Sequence, residues 1–114
     1  MKIIKRPIKS IQLEEAHGGS GSRKVYASPD YLKSTHFEMM TQGFLPAGKT
    51  FDWHDHTDIE EIMVIVSGNG EVHDEDGVYT YDAGDVFVFP ANTKHKIYNP
   101  TDKQHEMIFV RVKV

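Results

Sequence analysis

His54, His56 and Glu61 are residue types that ligate divalent cations, and they stand close together in the run Gly48-Lys-Thr-Phe-Asp-Trp-His54-Asp-His56-Thr-Asp-Ile-Glu60-Glu61. In an extended chain alternate side chains share a face, so His54 and His56 project to one side roughly 7 Å apart, and one cation bridges that gap. Asp55 points away. Glu61 follows the polar Thr57-Asp58 pair and opens the apolar run Ile62 to Val66, so its carboxylate can swing back toward the same ion. Two neutral imidazoles and a carboxylate make a set that Zn, Fe, Mn, Ni and Co all accept. Glu60 offers the same chemistry one position earlier. Parity separates the two: if Glu61 faces a cavity, Met63 and Ile65 face it too and Glu60 faces outward. A second stretch, Gly84-Asp-Val-Phe-Val-Phe-Pro90-Ala-Asn92-Thr-Lys-His95-Lys-Ile-Tyr-Asn99, runs turn, apolar strand, turn and strand, and sets His95 at the mouth of its last strand as a fourth ligand. The chain has no cysteine, so any metal site must be built from His, Asp or Glu.

These two stretches resemble both motifs of the cupin family. Gly48, His54, His56, Glu61 and Gly68 match the first motif without a gap, and Gly84, Pro90, His95 and Asn99 match the second. Asn92 stands where the family has Gly. Asn tolerates positive φ best after Gly, so the turn is expected to survive. The resemblance implies an all-β, single-domain jelly-roll β-barrel over residues 1–114, with one divalent metal ion (Zn, Mn, Fe, Ni or Co) held by His54, His56, Glu61 and His95.

The elements that must position these ligands read as short strands. Turn signals recur at Pro46, Gly68-Asn69-Gly70, Asp76-Gly77, Asp82 to Asp85 and Asn99-Pro100, and almost no helical period appears between them, which describes a sandwich or barrel. No internal repeat is present, so one cupin unit is expected. Ile3-Ile4 and Ile8 to Leu13, separated by Pro7, suit a broken edge strand, with one weak helical turn possible over Ser10 to Ala16. His17-Gly-Gly-Ser-Gly-Ser22 reads as a mobile loop. His17, His73 and His105 lack ligand spacing and are expected at solvated surface.

Over Thr35 to Leu45 the alternation does not choose a face. The cupin resemblance does, implying that residues an even number before Pro46 line the cavity. That selects Phe44, Gln42 and Met40, with Met63, Met107 and Phe109 across from them. Met40, Gln42, Met63 and Phe109 are therefore the candidate substrate contacts, and Gln42 is the group able to orient a polar ligand.

Composition bounds the rest. Lys plus Arg number 13 against 17 acids, a formal net charge of -4, which gives no basic footprint for nucleic acid. No run approaches a membrane span, and a soluble cytoplasmic protein is the expectation. The partners expected are a small-molecule ligand and a second copy of the chain, a homodimer pairing through Ile3 and Ile4. The resemblance implies a metal-dependent enzyme of oxygenase, sugar isomerase, decarboxylase or lyase type, with a non-catalytic carboxylate or sugar binder or sensor as the alternative.

Overall fold

In the computed structural model, which describes residues 2–114, ten strands run in chain order: β1 (Glu14–Ala16), β2 (Gly21–Ala27), β3 (Phe37–Leu45), β4 (Thr50–His54), β5 (Ile59–Ser67), β6 (Gly70–Asp74), β7 (Val78–Tyr81), β8 (Val86–Phe89), β9 (His95–Tyr98) and β10 (His105–Lys113). They form a six-stranded sheet in the order β1-β2-β3-β10-β5-β8 and a four-stranded sheet in the order β4-β9-β6-β7. Every pairing is antiparallel. The all-β class expected from the turn spacing is what forms. The barrel stays open, because among the described residues no ladder joins one sheet to the other.

Alternation builds the core. In β5 the side chains of Ile59, Glu61, Met63 and Ile65 are buried, and in β10 those of His105, Met107 and Phe109. With Leu45, Phe51, Val72, Tyr81, Phe89 and Ile97 the apolar members of these sets fill the space between the sheets. Among the described residues no helix is long and apolar enough to cross a membrane.

Two turns explain their own sequences. Asn92 takes φ 64°, the left-handed conformation anticipated for it, and its N–H donates to the carbonyl of His56 at 2.7 Å. Asn99 is fully buried; its amide donates to the carbonyls of Leu45, Pro46 and Lys103 and its oxygen accepts from Thr101. The second histidine stretch is thus tied to the first at His56 and just ahead of its start, at Leu45 and Pro46.

Several local expectations are corrected. No strand forms through Ile3 and Ile4, which are 99% and 60% exposed. Pro7 lacks a ladder donor, and the segment is fastened by a side chain, Arg6 donating to the carbonyls of Val25 and Tyr26. The single turn lies at Ile8–Ser10, ahead of the span expected for it. The glycine-dense stretch after Ala16 is a turn over His17–Gly19 leading directly into β2, and a Cβ on Gly21 would fall 2.5 Å from the Phe51 ring. That glycine marks close packing. His105, expected at the surface, is 1% exposed, with Tyr81 and Thr101 at its two ring nitrogens.

Candidate metal centre

His54 and His95 come from one sheet and Glu61 from the other. β4 pairs with β9 so that His54 faces His95, and a register shift between Phe51 and His54 lets both residues point inward although their spacing is odd. Glu61 lies on the inward face of β5 and is 5% exposed, whereas Glu60 is exposed. One ligand atom from each of His54, Glu61 and His95 lies within 4.8 Å of the others.

His56 stands beside this set. β4 ends at His54, so no ladder holds His56 in the extended register assumed from the sequence, and its ring sits edge-on to His54 with centres 5.4 Å apart. His56 is therefore outside the set of three whose ligand atoms converge.

The hydrogen bonds orient the imidazoles. Nδ1 of His54 lies 2.7 Å from the carbonyl of Asp52, and Nδ1 of His95 lies 2.8 Å from that of Thr93. A carbonyl only accepts, so each proton sits on Nδ1 and each Nε2 is left with its lone pair free. Phe89 stacks on His95 at 4.0 Å and fixes the ring plane. Nε2 of His56 and of His95 are buried without a hydrogen-bond partner among the described residues. Buried polar atoms are ordinarily satisfied, so two orphaned imidazole nitrogens beside a buried carboxylate fit a divalent cation.

The electrostatics of the ion-free site point the same way. Burial pushes the Glu61 carboxyl up to about 7, with Arg111 opposing and Glu38 adding to the shift. Burial lowers His95 to about 4 and also lowers His56, helped there by Arg111. The carboxylate is disfavoured and the imidazoles are held neutral. A cation bound there would favour the charged carboxylate and use the neutral imidazoles.

A cavity of about 440 Å³ opens beside His54, His56 and Glu61, with His17, Arg23, Thr41, Gly43, Phe51, Phe109 and Arg111 also in its wall. Of the four candidate substrate contacts, Phe109 lines it. Met63 faces the correct side but is fully buried in the core beneath. Met40 and Gln42 lie on the other face of β3, and this corrects the frame taken from Pro46: Thr41, Gly43 and Leu45 are the buried positions. Gln42 instead accepts from the Tyr26 hydroxyl and donates to Glu106 at 3.3 Å.

His17, Arg23 and Arg111 are among the wall residues that were not anticipated. His17 stacks on Phe51 at 4.1 Å and meets His54 edge-on at 5.3 Å, although part of it stays exposed. Arg111 was findable, since it lies two residues beyond Phe109 on the same face of β10. Arg23 and His17 carried no local signal, because the turn that brings them over the cavity depends on packing against Phe51.

The sequence profile described as the cupin domain matches residues 41–111. The chain belongs to the cupin family. No curated protein matches it. Among solved structures this cupin is similar to a predicted oxalate decarboxylase from Thermotoga maritima, at TM-score 0.88 and 22% identity over 97% of this chain and 100% of that one. It is also similar to a cupin-superfamily sugar phosphate isomerase from Silicibacter pomeroyi, at TM-score 0.80 and 19% identity over 97% and 76% of the two chains. A third is the polyketide cyclase RemF from Streptomyces resistomycificus, at 0.81 and 11% over 98% and 80%. At these identities the likeness is one of fold.

Proposed function

We propose that this cupin holds one divalent metal ion per chain (Zn, Mn, Fe, Ni or Co) on His54, Glu61 and His95 with His56 as fourth ligand, and acts as an enzyme on a small oxygen-rich molecule. The observation that carries this reading is the convergence of three ligand atoms within 4.8 Å, with both Nδ1 protons tied to backbone carbonyls. Bound there, a divalent cation supplies Lewis-acid polarisation of a substrate oxygen. The chain's own residues do the rest. Arg23, Arg111 and Thr41 present donors to a polar ligand, while Phe51 and Phe109 close the inner wall and keep water from it. Decarboxylation and sugar phosphate isomerisation, named for two of the structural neighbours, are within the reach of such a site.

A non-catalytic binder or sensor of a carboxylate or sugar is the second reading. Apart from the ligands, the described wall holds no buried acid or base, and this favours it. Metal analysis of protein purified without added metal, then a turnover and binding screen of small carboxylates and sugar phosphates, separates the two. Absence of metal after reconstitution sinks the metal-dependent enzyme, and ligand binding by that metal-free protein would keep the second reading.

A further inference from the structure

The six-stranded sheet faces the histidine pair with two guanidinium groups, Arg23 on β2 and Arg111 on β10. Arg111 is the cross-strand neighbour of Glu61 and is three-quarters buried. Its Nε lies 2.9 Å from Oε2 of Glu38 and 4.0 Å from Oε2 of Glu61. Glu38 reaches it through an irregularity in the ladder: β10 pairs Arg111 with Met39 and then Val112 with Phe37, leaving Glu38 without an opposite residue. Such a bulge re-aims a side chain. The contact is an ion pair by distance, yet neither Nε nor that Oε2 completes a hydrogen bond, so Glu38 holds Arg111 electrostatically without occupying its donors. Neither terminal nitrogen of Arg111 bonds a described residue. Arg23 likewise gives only its Nε, to Glu14.

An open guanidinium fork beside a metal site matches a planar bidentate acceptor. Charge selects among such acceptors. Arg23 and Arg111 balance Glu14 and Glu38, and a divalent cation against Glu61 leaves one positive charge, which suits a singly charged anion. Glu15, also in the wall, is solvent-exposed and its charge is screened.

We propose that Arg111 binds the carboxylate of a small monocarboxylate substrate, with Glu38 as the positioning residue that aims it. This rests on the metal-dependent reading above for the remainder of the substrate. The test is calorimetric titration with lactate and with lactamide, matched in shape and differing in charge, using both zinc-loaded and metal-free protein. Lactate is expected to bind about tenfold more tightly than lactamide in the zinc-loaded form, and by a smaller factor in the metal-free form, where the cation's charge is missing. Arg111→Lys, which keeps the charge facing Glu38 and Glu61, is expected to erase most of that preference while the zinc stoichiometry stays unchanged. Glu38→Gln is expected to reduce it less. Equal binding of the two probes, binding of neither into the millimolar range, or a preference unchanged in Arg111→Lys overturns the proposal. Should that variant fail to fold, the lactate-to-lactamide ratio of the unmodified protein decides alone. Zinc measured in the same samples separates the two readings: a lactate preference without zinc sinks the metal alone, and zinc without the preference sinks this inference.

Discussion

His54 and His95 stand directly opposite one another on adjacent antiparallel strands, their ring centres 4.3 Å apart, each bonded through Nδ1 to the carbonyl two residues earlier in its own chain. Two candidate ligands are therefore set by a single ladder and two local turns. Hydrogen bonds within the chain set their orientation, and preorganisation of this kind raises affinity by removing an ordering cost.

His95→Ala is expected to lower zinc affinity by at least about a hundredfold, beyond what loss of an orienting partner costs. Circular dichroism should keep its strand signature, and calorimetric zinc titration reads the affinity. An unchanged affinity would remove His95 from the ligand set.

The ion-free protein carries opposite pH dependences in Glu61 and His95. Glu61, raised from its ordinary 4.5 to about 7, binds its proton more tightly when folded, so stability falls as pH rises from 4.5 through 7. His95, lowered from 6.5 to about 4, binds its proton more tightly when unfolded, so stability falls as pH drops from 6.5 toward 4. His17 is lowered too, and its exposed share weakens its effect. Glu61→Gln should remove the alkaline loss alone. In EDTA the variant is expected to gain on the parent by about 1–3 kcal/mol between pH 4, below the unfolded value, and pH 8. A stability difference between the two that stays the same across that range would contradict this.

Gln42→Leu is expected to leave metal and ligand affinity untouched, since Gln42 lies on the outer face of β3. Removing its bonds to Tyr26 and Glu106 should cost about 1 kcal/mol in urea unfolding. A fall in ligand affinity at constant stability would return Gln42 to the cavity.

A homodimer is the form we propose in solution, with Ile3 and Ile4 covered by the second copy. Two nearly bare isoleucines on an unpaired segment are an association surface in a chain of this size. Light scattering at micromolar concentration should give twice the monomer mass, and removing residues 2–6 should give the monomer. A monomeric full chain would refute it.

How far the sequence foretold these features depended on whether a residue's position followed from local chemistry. The positive φ of Asn92 did, because few residue types tolerate it, and so did the inward aim of Glu61, because the pleat of β5 is regular. The face of β3 did not. Its apolar residues fall on both sides, and the core took Thr41 and Gly43 while Met40 and Phe44 were left half-buried on the outer one. His56 and Glu38 were beyond periodicity for a shared reason: one lies past the end of its strand and the other at a ladder irregularity, and both escape the alternation that fixes their neighbours. His105 was hidden because its burial depends on Gly68. At φ 100° that glycine leaves room for the imidazole where a Cβ would come within 2.1 Å of it.

Because His54 and His95 ride on one sheet and Glu61 on the other, with no ladder between the sheets among the described residues, the thickness of the apolar core acts as the ruler that sets the spacing of the three candidate ligands. Leu45, Ile65, Ile97 and Met107 are the spacers. A change in their volume would move the carboxylate relative to the imidazole pair without touching either, so the fit to a cation of a given radius would depend partly on side chains that have no polar atom at all.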